Sequence, residues 1–390
     1  MKRLVLFATM VALSCGAWAP DVSARVWNIH ADRSGDVPTI QAAVDTAGPG
    51  DEILVHPGVY SWASQGTGTE FALITFIRGV GGFSLRSTGG ASSTILDAQG
   101  QGRVIYLMAY NEVSFEGFTI RGGEAPSFGY FDGGGIIAHI CPAVFRDCVI
   151  TANTAMRYGG GLWCGGRSSM HFYNCEFSNN TAQDGGGILF VNSMPSGMLS
   201  GCVIKGNTAH FRGGGIFIYN NSVVFENTVV AGNSAGTLGG GLYTWEVPAG
   251  SSMTGLTVAG NSAAEGGGGI YIIAGTELTI NNSIFAYNSG EGIFLDGSSS
   301  LTIGCSDVYH NEYDAIPPSA TDAGGNFSAD PQFCGPVAMY DFDLDGGSPC
   351  APGNHPDGAA CGLIGALPAS CGGVPVRSLT WGGIKALYGD

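Results

Sequence analysis

The sequence predicts an all-β solenoid, a parallel β-helix with three short strands in each coil, and three observations predict it. An Asn followed by Thr or Ser recurs at Asn153, Asn180, Asn207, Asn233, Asn261 and Asn288, at intervals of 27, 27, 26, 28 and 27 residues. A glycine triplet followed by Ile or Leu keeps the same step, from Gly133 to Gly135 with Ile136 through Gly267 to Gly269 with Ile270, and a degraded copy, Gly290-Glu-Gly292-Ile293, closes the series. Between these marks apolar residues fall at alternate positions, as in Met170-His-Phe172, Cys175-Glu-Phe177 and Ile188-Leu-Phe190, in runs too short for helices. A fixed period of this length marks a repeat architecture, in which each unit buries its apolar face against its neighbours.

Taken in chain order, residues 1–24 have the three parts of a signal peptide: basic Lys2 and Arg3, an apolar run from Leu4 to Leu13, and the small-residue exit Val22-Ser-Ala24. The mature chain is expected to start at Arg25. An exit after Ala19 puts Pro20 just past the cut, and a lipobox reading that would lipidate Cys15 has Ala12 where Leu is usual. No later stretch approaches the roughly 20 apolar residues of a membrane span, so the expected destination is the exterior or the cell surface. Thr39 to Ala47 follows Pro38 with Ile40, Ala43, Val44 and Ala47 at helical spacing, which predicts an N-terminal capping helix over an otherwise open solenoid edge. The first coil begins at Ile53 to Tyr60, irregular coils run through Thr94-Ile-Leu-Asp97 and Phe118-Thr-Ile120, and the regular repeats follow. The solenoid is assigned residues 25–371. The tail, 372–390, leaves the repeat pattern and carries a short apolar segment, Ser378 to Tyr388, expected to act as a sorting or docking element or as a cap.

Stacking gives each motif a physical role, because coils in a sheet lie about 4.8 Å apart and equivalent residues touch. Glycines at corners supply positive φ and let backbones approach. Asn at a repeated corner tolerates the left-handed conformation, and its amide can bond to the amides above and below. The sequons at Asn179, Asn220 and Asn281 are by-products of such corners. The column Cys148, Cys175, Cys202 continues as Thr228, Leu256 and Ser283, an interior slot; parallel side chains one coil apart are too distant for a disulfide, so these are expected to be buried free thiols. Eleven cysteines become ten without Cys15, and in an exported chain disulfides are permitted. Cys334, Cys350, Cys361 and Cys371 allow three pairings, while Cys305 stands alone. No Cys-x-x-Cys pair occurs, which argues against zinc.

The net charge is −16, and no Lys or Arg lies between Arg212 and Arg377. Nucleic acid and anionic membrane are poor partners for such a surface.

Asp36-Val-Pro-Thr-Ile-Gln-Ala-Ala-Val44, Gly50 to Tyr60 and Gly117-Phe-Thr-Ile-Arg-Gly-Gly123 resemble right-handed parallel β-helix repeat proteins of the pectin-lyase-like superfamily. Asp330-Pro-Gln-Phe333 and Gly347-Ser-Pro-Cys350 are similar to the usual close of such helices, and the Gly-Gly-Gly-Ile and Asn-Thr-Ala repeats are similar to those of polymorphic outer-membrane proteins, whose Phe-x-x-Asn is mostly replaced here. The resemblance runs from about Val26 to Cys371 and implies a right-handed coil. It leaves function open, since this fold carries lyases, hydrolases, esterases and adhesins.

A lyase of this fold calls for a base beside carboxylates that hold calcium, and a glycosidase for two carboxylates; no motif here spells either, and no catalytic residue, cofactor or metal is assigned. Asp132, Arg157, Asp184 and Arg212 fall on one corner of adjacent coils and are expected to form a surface salt-bridge ladder. Asp341-Phe-Asp343-Leu-Asp345-Gly346 opens like a calcium loop but has Pro352 at the twelfth position, and Phe342 and Leu344 also fit an edge strand. Parity supplies the site. If the residue after each triplet points inward, so does the one two later (Ala138, Cys164, Phe190, Ile218, Thr244, Ile272, Leu295), and the residue between points outward: Ile137, Trp163, Leu189, Phe217, Tyr243, Tyr271, Phe294. Two positions further along that face lie His139, Tyr219 and Trp245. An exposed aromatic strip on a rigid sheet suits stacking on sugar rings or a partner surface, which places the binding residues at Trp163, Phe217, Tyr219, Tyr243, Trp245 and Tyr271. The expected protein is a monomeric, non-catalytic binder of polysaccharide or a cell-surface glycan; the alternative is a polysaccharide lyase or glycoside hydrolase.

Overall fold

A computed structural model of the chain describes residues 24–65, 72–77, 81–108, 112–125, 133–192 and 197–371; the expected signal peptide with Cys15, the corner residue Asp132 and the tail from Gly372 lie outside the described residues. The described residues build a parallel β-solenoid whose coils turn through one nine-stranded sheet, one twenty-stranded sheet and a small four-stranded sheet. Coil-to-coil register follows the repeat: in the nine-stranded sheet Ile136 pairs with Leu162, Leu162 with Ile188, Ile188 with Ile216, Ile216 with Leu242, and Leu242 with Ile270.

Inside, side chains stack in columns. Phe115, Phe145 and Phe172 lie one above the next, with centroids 4.5 and 5.0 Å apart and planes within 6° and 18°. Cys148, Cys175 and Cys202 are buried free thiols, as the column reading expects, and burial pushes the Cys202 thiol up to about 12. Thiolate is the reactive form, so alkylation of native protein with iodoacetamide should leave Cys148, Cys175 and Cys202 unlabelled, and labelling should appear together with unfolding in denaturant.

The Asn column is a continuous hydrogen-bonded ladder. Each Nδ2 donates to the Oδ1 of the next coil's Asn, from Asn153 to Asn180 (3.0 Å), Asn207 (2.9 Å), Asn233 (3.0 Å), Asn261 (3.0 Å) and Asn288 (3.0 Å), and the ladder runs on to Asn311 (2.9 Å). The left-handed residue of this corner is the one before the Asn: Ala152, Asn179, Gly206, Gly232 and Gly260 all have φ between 53° and 63°. The ladder Asn is therefore chosen for its amide, not for tolerance of positive φ. The glycine triplet belongs to the same device. Gly185 has φ +65°, and a Cβ on Gly187 would lie 2.6 Å from the Gly215 carbonyl oxygen and 3.0 Å from Asn207 Nδ2. The triplet lets neighbouring coils and the Asn column close on one another.

The N-terminal edge and one outer face are covered. Helix Ile40–Val44, shorter than the spacing predicts, buries Ile40, Ala43 and Val44, and the Thr39 side chain accepts from Ala42 N. At the other end residues 327–371 fold back along the outside of the twenty-stranded sheet, packing Phe342 and Ala366 on Val229, Ala231 and Ala259, and Leu344, Cys350 and Ile364 on Ile284 and Ala286. Phe342 and Leu344 are both buried against the outer face of that sheet, and of the expected edge strand only Leu344–Asp345 forms. The cysteine reading is corrected: Cys305 is not alone but bonded to Cys361, Cys334 pairs with Cys371, and Cys350 is a buried free thiol. Cys361 is brought to Cys305 by the docking of the segment on the last coils, through Gly365 N to Asn282 O (2.7 Å) and Ala366 N to Thr257 Oγ1 (2.9 Å).

Candidate functional site

The outward column exists in the register that parity gives: Ile137, Trp163, Leu189, Phe217, Tyr243, Tyr271 and Phe294 are successive partners across the nine-stranded sheet. Five of them, Ile137 through Tyr243, form an apolar cluster of their own, separate from the solenoid core. Their exposure is not as expected. Trp163 and Phe217 are 5 % exposed and Tyr243 2 %, whereas Tyr219, Trp245 and Tyr271 are half-buried. The physical reason is a wall. The corner before the glycine triplets rises beside the sheet and leans Tyr158 and Leu238 against the column. The tail from Gly372, expected as a sorting or docking element or a cap, lies outside the described residues.

Sheet and wall enclose a cleft of about 460 Å³ lined by Tyr158, Trp163, Leu189, Val191, Asn192, Arg212, Phe217, Tyr219 and Trp245. The rings that bound it are locked edge to face: Phe217 on Tyr243 (4.9 Å, 89°) and Tyr219 on Trp245 (5.9 Å, 72°). Tyr271 stacks flat on Phe294 (4.1 Å, 6°) and extends the strip toward the last coils. Gly165 is a contributor that sequence reasoning missed. A Cβ there would lie 2.8 Å from Trp163 Cζ2, so glycine is what lets the indole lie along its own strand. The available signal was a gap: at that position the neighbouring coils carry His139 and Val191, then Tyr219 and Trp245.

Arg212 forms the polar part of the wall. Its Nε and Nη2 donate to Asp184 Oδ1 and Oδ2 at 2.9 and 3.1 Å, a two-bonded pair, and Asp184 is 4 % exposed. Of the expected ladder, the Asp184–Arg212 rung forms, with the carboxylate buried and the guanidinium partly exposed on the cleft wall, because the small sheet sets the two residues on adjacent strands, Thr181–Asp184 and Thr208–Arg212. The guanidinium carbon is 5.3 Å from the Phe217 ring centroid, 5.5 Å from Tyr243 and 5.7 Å from Trp245, within cation–π range of all three. Burial alone would lower the Arg212 pKa, but the Asp184 carboxylate and the Tyr243 hydroxyl leave it raised. Burial also raises the Tyr243 phenol, with Arg212 acting in the opposite sense.

Among the described residues no three His, Cys, Asp or Glu side chains gather as metal ligands, and no helix is long and apolar enough to cross a membrane.

Residues 77–249 match the family model described as "Right handed beta helix region". No curated protein matches the chain. Among solved structures, the crystal structure of pectate lyase Pel9A is 16 % identical, with 90 % of this chain and 98 % of that one covered, at a TM-score of 0.59. The alginate lyase from Paenibacillus sp. str. FPU-7 matches at 15 % identity over 78 % of this chain and 95 % of that one (TM-score 0.32), and pectin methylesterase from carrot at 13 % over 78 % and 88 % (TM-score 0.31). On the partial family match, the strand register and the likeness to Pel9A, the chain folds as a right-handed parallel β-helix, the fold it shares with that structure.

Proposed function

We propose that this chain is an exported or surface-held monomer that binds a carbohydrate chain in the cleft beside the nine-stranded sheet and does not cleave it. The observation that carries the reading is the second aromatic cluster: rings outside the solenoid core, held edge to face and opening on a cleft, are a stacking platform that the core does not require. Tyr219 and Trp245 are the contact surface, Trp163, Phe217 and Tyr243 the floor that fixes them, and Tyr271 the extension along the next coils. The fold shared with pectate lyase Pel9A suits a long ligand laid across several coils.

The burial pattern separates binding from packing. Replacing Tyr219 and Trp245 together by Ser should abolish retention on immobilised polysaccharide while moving the melting temperature little. Replacing Tyr243 alone by Ser should cost about 3 kcal/mol or more, because it empties a packed position. Retention unaffected by the double change would sink the assignment of the cleft, and oligosaccharide released by the purified protein would make it an enzyme.

A further inference from the structure

From the closed ion pair and the surrounding charge, and resting on the carbohydrate reading above, we infer that the ligand is a neutral glycan, one without carboxylate or sulfate groups. Arg212 is the single cation among the described residues that line the cleft. Its charge is already matched: Nε and Nη2 hold the two oxygens of Asp184, and the guanidinium borders three rings. An acidic sugar entering this cleft would meet a cation whose charge Asp184 already balances, and drawing the guanidinium to itself would leave a carboxylate that is 4 % exposed without its partner.

The field beyond the cleft works in the same direction. Glu291, Asp296 and Glu265 bear on the Tyr271 phenol, whose pKa is raised by burial first and by these carboxylates next. The whole chain carries −16, with no Lys or Arg from Gly213 to Pro375 to offset these acids. A polyanion that runs from the cleft across the coils after Arg212 is repelled there. A neutral sugar has what the lining offers a partner for: C–H faces for Trp245 and Tyr219, and hydroxyl edges for Asn192 and the outer edge of the Arg212–Asp184 pair.

The test is affinity electrophoresis of the full-length mature protein through gels containing galactomannan, xyloglucan, polygalacturonate or alginate, at low and at physiological salt. The expected result is retardation by a neutral polymer, changing by less than about twofold with salt since no net charge is being screened, and free migration in both polyuronates. Asp184→Asn releases Arg212 and should gain salt-sensitive retardation in polygalacturonate; wild-type and variant melting curves confirm that both are folded. Salt-sensitive retardation of the wild type by a polyuronate overturns the inference and leaves the carbohydrate reading standing. Free migration in all four overturns both.

Discussion

Replacing Asn207 by Leu is expected to destabilise the protein by at least about 4 kcal/mol. Asn207 Oδ1 accepts from Asn180 N and Asn180 Nδ2, both at 2.9 Å, while its own Nδ2 donates to Phe177 O (2.9 Å) and Asn233 Oδ1 (3.0 Å). Leu makes none of these bonds and strands donors and acceptors in a corner where Asn180, Asn207 and Asn233 are all essentially buried. Each orphaned group costs about 1–3 kcal/mol, and the stranded groups lie on both neighbouring coils. Leu also brings branched carbons to a place where Gly187 has just cleared space for a flat amide. A solenoid passes stability from coil to coil, so the break weakens the structure on both sides of it. Chemical denaturation measures the change, with Thr208→Ala, at an exposed position one residue away, as a control that should stay within about 0.5 kcal/mol.

The second large effect is a pH dependence centred on Asp307. This residue is fully buried beneath the folded-back C-terminal segment, with Oδ1 accepting from Ala329 N at 3.0 Å and Oδ2 facing Cys350 Sγ at 3.4 Å. Burial raises its pKa from 3.8 to about 7. The unfolded chain releases this proton near 3.8, whereas the folded chain keeps it to about 7. The protonated carboxyl therefore contributes stability that is fully present below pH 3.8, declines as pH rises, and is lost above about 7. A shift of this size corresponds to a few kcal/mol, on the order of 1.4 per pH unit. Asp307→Asn keeps the acceptor for Ala329 N and cannot ionise. Its stability should follow that of the wild type near pH 4 and exceed it by a few kcal/mol at pH 8. Denaturant midpoints across pH 4–8 read the difference; parallel curves for the two proteins would show that Asp307 is ionised in the fold throughout. The same ionisation should loosen the segment at alkaline pH, seen as faster alkylation of Cys350, whose thiol is raised by burial and by Asp307.

How far the sequence could be read depended on whether a feature repeats. The Asn ladder, the triplets and the Cys148 column are each spelled once per coil, and stacking turns recurrence directly into contact, so fold, register and buried thiols were legible. Parity also placed Trp163, Phe217 and Tyr243 on the outer face correctly. It could not show that they are covered, because parity tells which side of a strand a residue leaves by and says nothing of the neighbouring corner that folds over it. Tyr158, Arg212 and Leu238, which make the wall, occupy equivalent corners but share no residue type, and the pairing of Arg212 with Asp184 is specific to two coils. The Cys305–Cys361 bond was hidden for a related reason: it joins the repeat to a non-repeating segment, whose docking site is set by Phe342, Leu344 and Ala366 finding gaps on the outer sheet rather than by any period.

The measurement that bears most directly on the binding account is a crystal structure of the protein with an oligosaccharide cut from whichever polysaccharide retains it. The account predicts an intact chain in the cleft, sugar rings on the faces of Trp245 and Tyr219, hydroxyls toward Asn192 and Arg212, and the Asp184–Arg212 pair unbroken. A sugar seated on the opposite face against residues 327–371, or a cleaved chain beside a carboxylate, would contradict it.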